Sequence, residues 1–237
     1  MSYPIWTPAE VSSEARFERR EAWRIVEAQH VVSTMKLVDS LSEQALLEEI
    51  VNERKPPLPA EVARLHYLLS TPFRYSPLPA GSRFRGEADS GVWYGAERMT
   101  TAAAEMSYWR WRFMQDAGFE RLPPTQYSAF SVPVAGEMVD LRRPPFDRDA
   151  QFWMHPTNYA ATQAFARVAR EVPLDAIIWQ SVRDPEPHYG MAVLSPSAFD
   201  SKTPKTLETW TLTILPQEAV WHSHGEDAFS FTTTAWG

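Results

Sequence analysis

The chain has 237 residues, 44% hydrophobic and 22% charged, enough to bury one sizeable core with room for a small appended subdomain. A formal net charge of -7 and a pI near 5.4 argue against binding along a nucleic-acid phosphate backbone, which needs clustered Lys and Arg to displace counterions. The absence of cysteine excludes disulfides, thiolate metal sites and thiol nucleophiles, and no window approaches the ~18 apolar residues of a membrane span.

Met1 to Trp6 has no basic stretch followed by an apolar run, so a cytoplasmic setting is expected. Thr7-Pro8-Ala9-Glu10 is a helix start: Thr7 as N-cap, Pro8 where no backbone donor is required, Glu10 closing the capping box. Strong helix formers follow, and the three-residue spacing of Trp23 with Val26 and of Met35 with Val38 predicts one helix to about Val38. Ser40 to Glu43 repeats the box and opens a second helix with Leu46, Leu47 and Ile50 as its apolar face, ended by Lys55 to Pro59. A third, shorter helix is expected over Pro59 to Leu69, with Val62, Leu65, His66 and Leu69 inward. Residues 1–70 thus read as a helical extension without chemistry of its own. Ser70 to Pro79 is a break, because each proline biases its predecessor to extended geometry. Beyond it, residues 71–237 carry β-prone runs at Arg83–Arg85, Val92–Tyr94, Tyr127–Val134, Ala176–Trp179, Gly190–Leu194, Thr209–Leu215 and Ala228–Thr234. Helical patterns lie between them at Thr101–Gln115 and Thr157–Glu171. Short connections without strict strand-helix alternation favour an α+β fold.

Tyr94 stands eleven residues after Arg83, and Glu105 eleven after Tyr94, so a cation, an aromatic ring and a carboxylate fall on a loop, a strand end and a helix start. Such a set suits cleavage of the nicotinamide–ribose bond of a dinucleotide. A carboxylate such as Glu105 stabilises the oxocarbenium character that arises at the anomeric carbon. The forked donors of Arg74, Arg83 and Arg85 match a pyrophosphate, Tyr94 offers a flat face to nicotinamide, and Ser181 offers a hydroxyl to the ribose or the amide.

These residues, in the runs Arg83-Phe, Gly91-Val-Trp-Tyr-Gly95, Thr101-Ala-Ala-Ala-Glu105 and Ile177-Ile-Trp-Gln-Ser-Val-Arg183, resemble the RES domain, a family named for its arginine, glutamate and serine. The resemblance covers about residues 72–195. It implies a split mixed β-sheet core like that of ADP-ribosyltransferases, and a toxin of a bacterial toxin–antitoxin pair that consumes NAD as substrate, with no metal. It also implies an Xre-related antitoxin partner that blocks the site, and in some members a protein that receives ADP-ribose. Arg83, Glu105 and Ser181 match the name-giving positions and Tyr94 an active-site tyrosine, while Arg74, with Tyr75 beside it, aligns with a second, earlier arginine. Two features depart from the family: Ser82-Arg83-Phe84 stands where short members have Gly-Arg-Trp, and the interval from Arg74 to Arg83 is short.

Each residue also has a plainer reading. Glu105 could be a solvated charge, Arg83 a hairpin surface residue and Ser181 the end of a strand or the start of a turn, while Arg183 could pair with Asp184 or another acid. Of Trp93 and Tyr94, alternation sends one inward and the other out. His222-Ser-His224, with His155 and His188, has a spacing that can bind metal, but without Cys or a legible acidic second shell it favours turns. Trp109 and Trp111, with Arg110 and Arg112 between and after them, point in different directions at helical spacing and favour core packing over nucleic-acid stacking. The chain lacks the Gly-rich dinucleotide fingerprint and the phosphate-loop lysine motif, which disfavours dehydrogenase and triphosphatase readings. The competing class is a non-catalytic interaction module whose arginine–glutamate pair is structural.

Overall fold

The computed structural model describes residues 4–28, 40, 42–43, 46, 50, 56–75, 81–223, 225 and 227–236. The first helix, α1 (Pro8–Glu14), closes its capping box as expected: Glu10 N donates to Thr7 Oγ1 at 3.3 Å and Thr7 N to the Glu10 carboxylate at 2.8 Å. It stops far short of Val38. Residues Arg16–Glu27 form strand β1, paired antiparallel with β3 (Leu122–Asp140) from Arg16↔Met138 to Glu27↔Tyr127. Helix formers are overridden here because the pairing buries Ala22 and Ile25, while Trp23 and Val26 are only half-buried. Met35 and Val38 lie outside the described residues. At the expected second helix, Glu43 N donates to Ser40 Oγ at 3.2 Å, and Leu46 and Ile50 are helical but exposed; Leu47 and Lys55 lie outside the described residues. The third region is a 3-10 turn, Ala60–Val62, followed by helix α2 (Tyr67–Arg74), which buries Leu68 and Leu69. The helical layer expected over residues 1–70 is therefore, where described, short helices together with a strand of the main sheet.

The remaining elements are β2 (Trp93–Ala96), α3 (Met99–Asp116), α4 (Ala150–Trp153), α5 (Ala160–Ala169), β4 (Ala176–Gln180), β5 (Tyr189–Val193), β6 (Thr206–Ile214), β7 (Glu218–Ser223) and β8 (Ala228–Thr232). One eight-stranded sheet runs β1-β2-β5-β4-β3-β6-β7-β8, and the further β1–β3 pairing closes its first five strands into a ring. Only β3 and β4 pair in parallel, so the sheet is mixed and the fold α+β, as the element pattern implied. The run Arg83–Arg85 is a tight turn instead of a strand: Ser82 N donates to Arg85 O at 2.7 Å and Arg85 N to Ser82 O at 3.2 Å. Gly81 enters that turn at φ 66°, a left-handed conformation open to glycine. Strand β7 was not anticipated from the sequence; its Trp221 is fully buried, and its indole N–H donates to Ser107 Oγ on α3 at 2.8 Å.

Packing fixes the two helices that flank the site. Helix α3 sets Ala103 and Met114 into a core with Tyr127, Leu212 and Trp221. Helix α5 sets Phe165 against Trp6, Phe146 and Trp153, with ring centroids 5.3–6.4 Å apart. Among the described residues no helix is long and apolar enough to cross a membrane.

Candidate active site

Glu105 is in the second turn of α3, and its half-buried side chain points at the segment following β4. There Ser181 Oγ, itself buried, donates to Glu105 Oε1 at 2.7 Å, joining residues 76 apart in sequence. The same hydroxyl oxygen lies 3.4 Å from Arg183 N and 3.3 Å from Asp184 N, so two backbone amides orient it toward the carboxylate. The solvated-charge reading of Glu105 and the strand-end reading of Ser181 both fall short of this arrangement.

Arg83 is buried at 8% exposure although it carries a charge. Carbonyl oxygens compensate: its Nη1 donates to Trp153 O at 2.8 Å and to His155 O at 3.0 Å, and its guanidinium lies 4.6 Å from the centre of the Tyr159 ring. Arg183 is held in the same manner from the next residue of that loop. Its Nη2 donates to Pro156 O at 2.5 Å, its guanidinium carbon stands 3.4 Å over the Tyr108 ring, and it is 6% exposed. The loop between α4 and α5 thus presents carbonyls to two arginines from distant segments. Arg183 does not take up the anticipated pairing with Asp184; that carboxylate accepts instead from Thr101 Oγ1 at 2.6 Å and lies 3.1 Å from His188 Nδ1.

Burial dominates the electrostatics. It pushes the Glu105 carboxyl above the ordinary glutamate value, opposed by the Ser181 hydrogen bond and by the charges of Arg83 and Arg183. Burial also lowers Arg83, opposed by Tyr159 and Glu105. The network therefore holds a half-buried acid in the field of two guanidinium groups.

Tyr94 occupies the face of β2 opposite Trp93, which is fully buried. Its hydroxyl accepts from Phe84 N at 2.9 Å and meets Ser82 Oγ at 2.8 Å, and its ring stands edge-on to Trp179 at 6.0 Å. It clamps the turn that carries Arg83. Arg85, Arg74 and Tyr75 form a separate group. Arg85 donates to Tyr75 O at 2.6 Å and to Asp89 O at 3.2 Å, and Arg74 donates to Pro56 O at 2.5 Å while lying 5.9 Å from the Tyr75 ring. The structure does not bond these three to Glu105 or Ser181. Tyr108 and Tyr159, which face the two arginines, were not singled out from the sequence, and Asp184 was considered only as a partner for Arg183; the four-residue spacing of Thr101 and Glu105 was the available signal for the face that meets Asp184.

A cavity of about 190 Å3 lined by Leu141, Arg142, Asp147, Ala150, Trp153, Met154 and Gln180 adjoins this cluster, sharing Trp153 and the residue before Ser181. A second, of about 150 Å3, lies apart among Glu14, Arg16, Glu18, Asp140 and Arg143. His222 lies exposed on β7 and His224 outside the described residues; among the described residues no group of three or more His, Asp or Glu could hold a metal ion.

No curated protein matches the sequence. A solved chain from the crystal structure of the M. tuberculosis MbcT-MbcA toxin-antitoxin complex superimposes with a TM-score of 0.50 at 12% identity, covering 88% of this chain and 92% of that one, which is a likeness of fold. The family model for the RES domain matches residues 58–214, a span that contains Arg83, Tyr94, Glu105, Ser181 and Arg183. The chain belongs to the RES domain family.

Proposed function

We propose that this protein is the toxin of a toxin–antitoxin pair and cleaves NAD at the nicotinamide–ribose bond. The carrying observation is the Glu105–Ser181 hydrogen bond beside two buried guanidinium groups that are themselves braced by carbonyls and aromatic rings. Arg83 and Arg183 would receive the pyrophosphate, because a desolvated guanidinium held from behind loses little entropy when it grips an anion. The Glu105 carboxylate would face the ribose. As the glycosidic bond breaks, its electron pair goes to the nicotinamide nitrogen, and the ribosyl carbon takes on positive charge that the carboxylate meets in the transition state. An acceptor oxygen or nitrogen then bonds that carbon and gives up a proton. Water, phosphate and a protein side chain are all chemically competent, so NAD breakdown and protein ADP-ribosylation share this first step. Ser181 keeps the carboxylate oriented, and Tyr94 keeps the Arg83 turn in place. Family membership and the fold likeness to a chain of a toxin–antitoxin complex support an antitoxin partner, of Xre-related type by the family resemblance, that covers this site.

Inducing the wild-type chain without an antitoxin is expected to lower cellular NAD and stop growth. Glu105→Gln should keep NAD binding and lose about 100-fold or more in turnover, the scale of one lost transition-state electrostatic contact. Because burial raises the Glu105 carboxyl, the wild-type rate should fall on the acid side at a pH above the ordinary glutamate range. Undiminished NAD loss with Glu105→Gln would sink the assignment, and an inert wild-type chain would favour an interaction module. Mass spectrometry for added ADP-ribose on cellular proteins distinguishes a protein acceptor from water or phosphate.

A further inference from the structure

We infer that Asp184, backed by His188, is a positioning residue that locks the Glu105 helix to the Ser181 segment and sets a second negative charge near Glu105. The inference rests on the proposed role of Glu105. Its basis is a two-point attachment. Thr101 and Glu105, four apart on α3, share one helix face, and each bonds a different member of a single short segment: Thr101 Oγ1 donates to Asp184 Oδ2 at 2.6 Å, and Ser181 Oγ donates to Glu105 Oε1 at 2.7 Å. Thr101 is fully buried, so this contact cannot be replaced by bulk water. Within the segment, Asp184 N lies 3.3 Å from Ser181 Oγ, and Asp184 Oδ1 accepts from Glu186 N at 3.0 Å. Rotation or sliding of α3 must break both attachments together.

The second acid has an electrostatic consequence. Asp184 has a side chain only 5% exposed, and its charge opposes ionisation of Glu105. The groups that face Glu105 are Arg83 from the turn after Gly81, Arg183 and Asp184 from the segment after β4, and the Ser181 hydroxyl. Two cations favour its charged form and one anion opposes it. Asp184 itself faces Thr101 and His188, whose Nδ1 is 3.1 Å away and whose Nε2 lies 3.6 Å from Glu186, which also approaches Arg98 at 3.7 Å. Asp184 thus couples geometry and charge, and the two can be separated by substitution.

Asp184→Asn removes the charge and keeps an acceptor for Thr101 while giving up the one for Glu186 N; Thr101→Val removes that helix attachment and keeps the charge. The measurement is kcat and kcat/KM for NAD across the acid range, with thermal unfolding of each purified variant. Asp184→Asn should ionise Glu105 more readily, so its acid limb moves to lower pH and, at a pH where the wild type has lost most of its rate, it retains a larger share of its own plateau. Thr101→Val should leave the limb in place and lower the plateau kcat about 10-fold, as expected from a slightly misplaced catalytic group. A residue that served only folding would lower the melting temperature of both variants without moving either limb. Superimposable pH profiles for Asp184→Asn and wild type overturn the inference even where Glu105→Gln is inactive, whereas an active Glu105→Gln overturns the underlying reading instead. Where Asp184→Asn fails to fold, Thr101→Val decides, and a plateau kcat equal to wild type overturns the inference.

Discussion

One phenol oxygen holds the loop on which Arg83 stands. Tyr94 Oη accepts from the backbone of Phe84, a fully buried residue, and pairs with Ser82 Oγ, so both residues flanking Arg83 are tied to β2. Burial keeps this hydroxyl above the ordinary tyrosine value, so it remains a neutral donor and acceptor at physiological pH. Tyr94→Phe leaves the Phe84 N–H without its partner, which costs about 1–3 kcal/mol by the usual penalty for an unsatisfied buried donor. The expected readout is a lower urea midpoint with unchanged slope, accompanied by a KM for NAD that rises more than kcat falls, since the displaced group is the arginine proposed to grip the pyrophosphate. A variant with wild-type midpoint and KM would show that the turn holds without the phenol. At this scale Arg83 and Glu105, each eleven residues from Tyr94, and Ser181, within the run Ile177 to Arg183, could be singled out as candidates because those runs carry the family pattern. The carbonyls of Trp153, His155 and Pro156 were not: every residue has a carbonyl, and only the fold shows which ones meet a guanidinium.

Between elements, the β4–β5 pair transmits packing to that turn. Trp179 lies over its cross-strand partner Gly190, and a Cβ at residue 190 would come 2.4 Å from the indole ring. The same indole packs on Phe84 at 4.9 Å and on Tyr94 at 6.0 Å between centroids. Gly190→Ala must therefore push Trp179 toward the Arg83 turn, with an expected loss of about 1–3 kcal/mol from overpacking and a drop in NAD turnover. Denaturant midpoints and initial rates measured together decide it; a stability and rate equal to wild type would mean the indole has free space to yield. Strands β2, β4, β5 and β6 and helix α3 were visible as local patterns, β4 and β5 as short apolar runs that are buried on both faces. Strand β1 was not, since Arg-Phe-Glu-Arg-Arg-Glu favours helix when read alone and becomes a strand only through its partner β3, more than a hundred residues away. Strand β7 was passed over for the related reason that its buried positions are few: Ala219 and Trp221.

Across the whole molecule, that long-range pairing decides what counts as a folding unit. The family match begins at residue 58, yet the ring of strands is closed by β1, which pairs with β3 along twelve residues and with β2 at Trp23↔Ala96. A chain starting at residue 58 keeps Arg83, Glu105 and Ser181 but opens the edge of β3 from Tyr127 to Met138 and uncovers Phe130, Val132 and Val134, all fully buried in the intact protein. It also loses Trp6 and Val11 from the core that seats Phe165 on α5, and so loosens the loop whose carbonyls brace Arg83 and Arg183. An open apolar edge of this length is a template for intermolecular pairing. The truncated chain is expected to aggregate or to lack a cooperative unfolding transition, whereas a chain from residue 4 onward unfolds cooperatively. A soluble truncation with a sharp transition and NAD turnover near that of the intact protein would show instead that the ring can close without its first strand.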